Sequence, residues 1–514
     1  MSVEKKFKDI ESQVVPVDSY SSTSDESLKD GSPESKSKNW FSFLSFLGEV
    51  ETRGIERVPE DERTDTSWLS PFMIFFSPNI SIGSISTGAL GTAAFGLDFW
   101  TCTILIVVFA FIGALPVGLY AVYGMKFGLR QQILSRFLVG NTAARFFALL
   151  NVISCIGWNA MNTIAAVELL KAVGPIPPPV GCVIIVGSTM FLALFGYKVI
   201  HLYEKWSSIP NVIICFIIIA RLKIEGDFVP GDMSADRNKI GNILTFISLI
   251  FGFCAGWVPS AADYTVYVPS NTSPERVFWP MVWGLTLPSI FTLILGAAMG
   301  ACTFNNARLS DAYSESSIGG LTYGILVTDS LGTFGKICCV VFALSTIANN
   351  LPGSYSLSLS IQAVWSKLAK IPRIIWCIIG NAISLGISIP AYYSFSSALE
   401  NFLSIIGYNT SIYLGICLSE HIFARKNSFK NYDLTFDESK NNFREVRVGY
   451  AGLITMLIGW FFAFVGMDQT WFVGLASRHI PPSGGDIGWE VCITSTFIIH
   501  SILRPLELKY IEKR

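Results

Sequence analysis

Two tryptophans and three asparagines stand where apolar segments would bring their side chains to a ligand. Trp158 and Asn162 are four residues apart, so they share one face of a helix. An indole beside an amide suits a flat polar ring. The alternative interpretation is packing for Trp158 and an interhelical hydrogen bond for Asn162, and these two residues alone do not decide between them.

A second indole, Trp257, lies between Gly256 and Pro259, near the middle of another apolar segment. Tryptophan in a membrane helix usually lies at the interface, so this position is unusual. If Trp257 faced Trp158, the two rings would hold a heterocycle between them. Stacking at about 1–3 kcal/mol per face would supply about half of the roughly 8 kcal/mol that micromolar affinity requires.

Two adjacent amides, Asn349 and Asn350, precede Pro352 and Gly353. Because amides facing lipid are costly, they are expected to face the interior of a helix bundle or a cavity. An asparagine amide carries a donor beside an acceptor and can pair with adenine at two points. Cytosine presents the same pattern. The alternative is that both amides only repair the backbone at Pro352, and we favour ligand contact.

Ionisable side chains in or near apolar segments are functional candidates because they are costly there. We predict Glu204 and Asp263 as proton-coupling residues. For Glu204, a structural ion pair with Lys198 or Lys205 is an equal alternative.

The elements that must position these residues are membrane helices. The chain has 514 residues, of which 51% are hydrophobic and 15% charged, whereas a soluble protein carries roughly a quarter charged residues. Its apolar runs are long enough to cross a hydrocarbon core of about 30 Å. We therefore predict an all-α integral membrane protein with twelve transmembrane helices, near residues 70–93, 98–124, 141–171, 180–198, 201–221, 240–262, 276–301, 330–364, 373–392, 398–423, 447–467 and 488–505.

The first and sixth of these spans are interrupted. Residues 77–91 and 252–264 are rich in Gly, Pro and small hydroxyl side chains at their centres. Broken helices in corresponding halves of a membrane protein are typical of a transporter's substrate site. They predict an inverted 5+5 repeat (about 67–222 and about 240–424), followed by two extra helices at about 447–505.

The regions outside the transporter domain, 67–505, are polar. Residues 1–66 are predicted to be a disordered cytoplasmic tail, with a possible interfacial segment at 40–47, and 506–514 to be a second cytoplasmic tail. Lysine and arginine are enriched in the loops on the side of the N-terminus, most densely at 425–447. By the positive-inside rule both ends are expected in the cytoplasm.

Several function classes are disfavoured. A net charge of −1 without a basic domain gives no reason to expect nucleic acid as a partner. The eleven cysteines fall almost wholly within apolar runs and the four histidines are scattered, so we expect no disulfide framework, metal site or cofactor. No nucleophile–base motif or phosphate loop is visible, so an enzyme is not expected.

Four motifs bring the chain close to a known family. They are residues 50–59 (VETRGIERVP), 127–131 (FGLRQ), 262–267 (ADYTVY) and 348–356 (ANNLPGSYS). In this order they resemble the fungal purine–cytosine permeases of the nucleobase cation symporter-1 family.

The resemblance implies a leucine-transporter-type fold and proton-coupled uptake of cytosine, adenine, guanine or hypoxanthine at the plasma membrane. It places the substrate between helices one, three, six and eight. It also matches Glu204 to a family glutamate tied to transport. The contacts it implies are Ser84, Trp158, Asn162, Trp257 and Asn349 or Asn350.

Three alternatives stay open at this point. Sodium-dependent relatives carry a Ser–Thr pair shortly before the eighth-span amide. In this chain Ala343 and Leu344 align with that pair, which favours a proton as the coupling ion. If the alignment is shifted by one or two residues, Ser345 and Thr346 take those positions, and sodium becomes the alternative. The substrate is alternatively another planar heterocycle, such as vitamin B6, thiamine, uracil or allantoin. The third alternative is a nutrient sensor that binds without transporting. Substrate ranking and oligomeric state are not predicted.

Overall fold

The structure is a computed structural model and consists of helices. Within the described residues the only strands are Asp468–Gln469 and Phe472–Val473, a short antiparallel pair. This confirms the predicted all-α class. The predicted segment 40–47 and most of the predicted tail 1–66 lie outside the described residues, which are 54–193, 197–233, 236–432, 448–481 and 484–511, with no side-chain description for 197–205 and 238.

The described residues form seventeen α-helices, which are numbered in chain order, and a 3-10 turn, Val258–Tyr264, follows α8. The helices are α1 (Leu69–Phe76), α2 (Ile82–Ala89), α3 (Phe99–Phe127), α4 (Gln131–Val139), α5 (Asn141–Val173), α6 (Pro178–Ala193), α7 (Tyr197–Glu225), α8 (Ile240–Ala255), α9 (Glu275–Ala301), α10 (Ala307–Leu326), α11 (Gly332–Ala343), α12 (Ser345–Val364), α13 (Ser366–Ala369), α14 (Arg373–Ala391), α15 (Phe395–Ser419), α16 (Tyr450–Gly466) and α17 (Gly488–Tyr510).

The outer surface of the bundle is suited to lipid. Large apolar side chains point outward, among them Phe191, Leu457 and Ile502, each about 60% exposed. Eight helical stretches in the described residues are long and apolar enough to cross a membrane, and α6 and α16 are shorter apolar helices. Because two of the eight stretches contain more than one helix, the number of twelve crossings remains a prediction.

Several elements depart from the predicted boundaries. The polar helices α4 and α10 lie between predicted spans, and the eighth span divides into α11 and α12 at Leu344. Helix α17 continues to Tyr510, five residues beyond the predicted span. The last residues of the predicted tail 1–66 are packed against the helices. Arg63 is buried and donates to the carbonyls of Val58 and Phe127.

Close helix packing holds the broken segments in place. Helix α9 packs along α2 and α3, and α12 packs along α5. Gly88 lies against the carbonyl of Leu293, and Gly296 lies against the carbonyl of Ile85, so a methyl group at either glycine would collide with backbone. These glycines let α2 and α9 approach at van der Waals distance, which fixes the first break against a continuous helix.

Candidate functional site

At the first break, between α1 and α2, backbone carbonyls accept hydrogen bonds from side chains of other helices. Asn349 Nδ2 donates to the carbonyl of Pro78 at 2.8 Å. Thr292 Oγ1 donates to the carbonyl of Asn79 at 3.1 Å. Freed backbone groups in a bilayer core need such partners because water is absent there. The break is therefore stable only while α9 and α12 stay against it.

The sixth span changes helix type where the break was predicted. Helix α8 gives way to the 3-10 turn, whose backbone is held from α4. Gln132 Nε2 donates to the carbonyl of Pro259 at 2.7 Å, and the amide of Ala262 donates to Gln131 Oε1 at 3.1 Å. The predicted interruption is thus a tightened turn rather than an open gap.

A small cavity of about 30 Å³ lies where the two irregular segments meet α5 and α12. A water molecule needs about 10–15 Å³ of such space, so the cavity holds about two waters. A planar ring requires the surrounding helices to separate. The lining residues are Asn79, Asn151, Cys155, Trp158, Phe253, Gly256, Trp257, Ser260, Asn349, Gly353 and Ser356.

Both predicted indoles line this cavity, and each packs edge-to-face against phenylalanine. The Trp158 ring centroid lies 5.7 Å from that of Phe253 and 5.3 Å from that of Phe402. The Trp257 centroid lies 5.0 Å from that of Phe75. The rings form walls of one chamber, and a base entering between them would replace edge contacts with stacking.

Asn349 is the eighth-span amide that lines the cavity. Its Nδ2 donates to the carbonyl of Pro78 at 2.8 Å and to Ser81 Oγ at 3.4 Å. Both amide hydrogens therefore serve the first break in this conformation. The sequence suggested that this amide pairs with a base at two points. To do so, Asn349 would have to release one of these two hydrogen bonds.

Asn162 and Asn350 lie beside the cavity and bond to each other. Asn162 Nδ2 donates to Asn350 Oδ1 at 3.0 Å, and Asn350 Nδ2 donates to the carbonyl of Asn159 at 3.3 Å and to Thr163 Oγ1 at 3.4 Å. Asn162 Oδ1 lies directly against Gly83 of α2. This pair ties α5 to α12 and reaches the first break.

Ser84 is fully buried in the first turn of α2, with its Oγ 3.2 Å from Ser81 Oγ. It does not line the cavity in this conformation. The six predicted substrate residues thus divide into three that line the chamber and three that lie behind it: Trp158, Trp257 and Asn349 in the first set, and Ser84, Asn162 and Asn350 in the second.

Asp263 is buried near the C-terminal end of the 3-10 turn. Its Oδ1 accepts from the backbone amide of Gln131 at 2.7 Å, and its Oδ2 accepts from Ser356 Oγ at 3.3 Å. Arg130 donates to its backbone carbonyl at 2.7 Å. Because Ser356 lines the cavity, the carboxylate is one hydrogen bond away from it. Glu204 lies on α7, and its side chain is outside the described residues.

Sequence reasoning missed most of the other lining residues, although helical spacing points to them. Side chains three, four and seven positions apart share a helix face. Counting in this way from Trp158, Trp257 and Asn349 reaches nearly all of them: Asn151 and Cys155, Phe253 and Ser260, and Gly353 and Ser356. Asn79 is different, because it lies in the break, where no helical period applies.

The Ser–Thr pair considered for sodium lies at the start of α12. Ser345 Oγ accepts from the amide of Ile82 at 3.4 Å, and Thr346 Oγ1 donates to the carbonyl of Ala343 at 2.9 Å. Ser345 therefore faces the first break. Across the part of the chain that the structure describes, no cluster of three or more His, Cys, Asp or Glu side chains is suited to a metal ion.

Comparison with known proteins gives matches along nearly the whole chain. The family described as permease for cytosine/purines, uracil, thiamine, allantoin matches residues 57–474. The chain is 44% identical to the purine-cytosine permease FCY2 of Saccharomyces cerevisiae, over 97% of this chain and 94% of that permease. It is 26% identical to the vitamin B6 transporter TPN1 of the same yeast, over 90% of this chain and 88% of TPN1.

Among solved structures, the chain is similar to Mhp1, a nucleobase-cation-symport-1 family transporter, in a closed conformation with bromovinylhydantoin bound. The TM-score is 0.67 at 13% identity, and the match covers 90% of this chain and 96% of Mhp1. This likeness confirms the predicted leucine-transporter-type fold.

Proposed function

The chain belongs to the family of permeases for cytosine/purines, uracil, thiamine and allantoin, and from this premise we propose that it takes up purine bases and cytosine together with protons. It is a membrane transporter and not an enzyme. The proposed substrates are adenine, guanine, hypoxanthine and cytosine. Transport would proceed by alternating access, with the base held between the two broken spans, α5 and α12.

One observation carries the choice of substrate class: two indoles and an asparagine line the same buried chamber. Planar heterocycles offer an aromatic face to Trp158 and Trp257 and a polar edge to Asn349. Opening the chamber would also bring Asn162 and Ser84 within reach, because they lie directly behind it. In this way five of the six predicted residues would contact the base once the helices separate.

We propose Asp263 and Glu204 as the groups through which a proton drives uptake. The support for Asp263 is its burial and its hydrogen bond to Ser356 on the cavity wall. A proton shifts a conformational equilibrium only if the two states bind it with different affinity. Separation of α12 from the 3-10 turn would remove the Ser356 contact from Asp263, which would give the two states different proton affinities.

The proposed location is the plasma membrane, with both termini in the cytoplasm. The support is the apolar exterior and the excess of basic residues in the loops on the N-terminal side. A C-terminal epitope that antibodies reach in intact cells would contradict this orientation.

A second candidate substrate is vitamin B6, favoured by the likeness to TPN1 along 90% of the chain. Pyridoxine is also planar and carries a ring nitrogen, so it suits a stacking chamber equally well. The lower identity to TPN1 than to the purine–cytosine permease places this candidate second.

The test is uptake of labelled cytosine and adenine in cells without their own nucleobase carriers, at acidic and neutral external pH. We expect greater uptake at acidic pH, loss of uptake with a protonophore, and no loss when sodium is replaced. Excess pyridoxine, uracil, thiamine and allantoin should compete weakly. Strong competition by pyridoxine alone would select the second candidate, and base binding without uptake would indicate a sensor.

The site is tested with Trp158→Ala and Asn349→Ala, compared at equal surface abundance. Trp158→Ala should lower cytosine uptake by about fivefold to 150-fold, the range that corresponds to loss of about 1–3 kcal/mol of stacking. Asn349→Ala should lower it as well, because the amide proposed to read the edge of the base is lost. Matched controls are Trp283→Ala on the outer face of α9 and Asn305→Ala on the surface, which should transport normally. Normal uptake by both site variants would remove the proposed site.

A further inference from the structure

Asn79, in the first break, is fully buried and lines the cavity. Its Nδ2 donates to the carbonyl of Phe75 at 2.7 Å, and its backbone carbonyl accepts from Thr292 Oγ1 at 3.1 Å. Its Oδ1 has no hydrogen-bond partner among the described residues. Asn79 is thus held by two hydrogen bonds, and its Oδ1 remains an acceptor without a donor among the described residues.

The orientation of this amide is settled by its neighbour. The carbonyl of Phe75 can only accept, so the NH₂ group of Asn79 must be the one that faces it. Oδ1 is then on the other side of the amide. Exchange of the two atoms would place two carbonyl oxygens in contact, so the atom left without a partner is an acceptor.

Three other polar side chains on the wall are engaged elsewhere. Asn349 donates to the first break, Ser356 donates to Asp263, and Ser260 donates to the carbonyl three residues before it in its own turn. Buried acceptors in folded proteins nearly always have a donor. None of these three side chains donates to Asn79, so a ligand that displaces the cavity water and brings an N–H group would supply a donor.

We propose that Asn79 Oδ1 accepts a hydrogen bond from the exocyclic amino group of the transported base and so favours amino bases over their oxo counterparts. This inference rests on the proposed function. An oxygen in place of the amino group would put two acceptors face to face, and a site built around one hydrogen bond discriminates strongly against a ligand that cannot make it. The expected order is adenine before hypoxanthine and cytosine before uracil.

The test measures how well adenine, purine and hypoxanthine inhibit labelled cytosine uptake by the full-length chain. Purine lacks only the amino group of adenine. The unaltered chain should bind adenine about tenfold or more tightly than purine, as expected for one well-placed hydrogen bond. In Asn79→Leu, which has similar size but no acceptor, the adenine-to-purine ratio should fall to about one.

Two variants separate recognition from positioning. Asn79→Asp in its neutral form would donate its O–H to the carbonyl of Phe75 and keep an acceptor, so it should keep the preference for adenine. Thr292→Val removes the backbone anchor but leaves Oδ1, so it should lower uptake without changing the ratio. If Asn79→Leu fails to reach the membrane, Asn79→Ser replaces it, because its hydroxyl is too short to reach the same point.

An unchanged adenine-to-purine ratio in a transporting Asn79→Leu or Asn79→Ser variant would overturn the inference. So would equal inhibition by adenine and purine in the unaltered chain, with base uptake itself intact. A chain that takes up no base at all would instead overturn the proposed function on which the inference rests.

Discussion

Asn162 is held between two neighbours, and both constrain its amide. Its Nδ2 is bonded to Asn350 of α12, and its Oδ1 lies against Gly83 of α2. A side chain at position 83 would overlap that oxygen. Glycine is therefore required here for the close approach of α2 to α5.

Gly83→Ala is predicted to abolish most uptake while the protein still reaches the membrane. The added methyl group would displace the Asn162 amide, and misplacement of a binding group by about 1 Å lowers activity by tenfold or more. Uptake of labelled cytosine, normalised to surface protein, measures the effect. Gly187→Ala in α6 is the control, because a methyl group there meets no atom within 4 Å. Equal uptake by the two variants would show that Asn162 tolerates movement.

At the scale of elements, three of the sequence motifs meet beside the chamber, near the C-terminal end of the 3-10 turn. The 127–131 motif begins α4, the 262–267 motif ends the 3-10 turn, and the 348–356 motif lies in α12. Asp263 joins all three, because it accepts from Gln131 and from Ser356. An acidic side chain at the first amides of a helix is stabilising, so Asp263 also has a structural role as a cap of α4.

Asp263→Asn separates capping from coupling. The amide oxygen can still accept from Gln131, so α4 should remain capped, but the side chain can no longer ionise. We expect cytosine uptake that depends much less on external pH than uptake by the unaltered chain. The measurement is a pH profile of initial uptake rates.

The control for that profile is Asp227→Asn, since Asp227 accepts from Asn306 outside the chamber. It should leave the pH dependence intact. An unaltered profile in Asp263→Asn would leave capping as the role of Asp263 and direct attention to Glu204.

At the scale of the whole molecule, Asp486 connects the predicted second repeat to the extra helices. Its carboxylate accepts from Tyr408 of α15, from Gln469 and from the backbone amide of Gly488 at the start of α17. Its own backbone amide donates to Thr245 of α8. Burial raises the pKa of Asp486 to about 6, so the folded state favours the protonated form.

This shift makes global stability depend on pH. Below about pH 4 the carboxyl is protonated in both folded and unfolded chains, and its contribution is fully present. As pH rises from about 4 to about 6, the unfolded chain ionises while the folded chain stays protonated, and stability on the order of 3 kcal/mol is lost. Thermal unfolding of the purified chain in detergent should follow this trend.

Asp486→Asn should remove this part of the pH dependence. The neutral amide loses one hydrogen bond at every pH, so the variant starts less stable at acidic pH. The gap to the unaltered chain should then narrow as pH rises from about 4 to about 6. Parallel curves for the two proteins would show that Asp486 does not titrate in this range.

Much of the molecule was predictable because local chemistry determines it. Apolar runs specify membrane helices, and clusters of Gly, Pro and hydroxyl side chains mark where two of them are irregular. Four motifs identify the family. The helical period places Asn151, Phe253 and Ser356 on the same faces as residues already chosen, so a stricter use of spacing would have found them.

The tertiary structure decided the rest, because the partners are far apart in the chain. Asn349 lines the chamber and Asn350 does not. Asn349 donates to the carbonyl of Pro78, 271 residues away, whereas Asn350 donates to the carbonyl of Asn159 in α5. Likewise, the free acceptor of Asn79 follows from anchors on two different helices. Neighbouring amides look equivalent in a sequence; only the packing of distant helices determines which atom of each is left for a ligand.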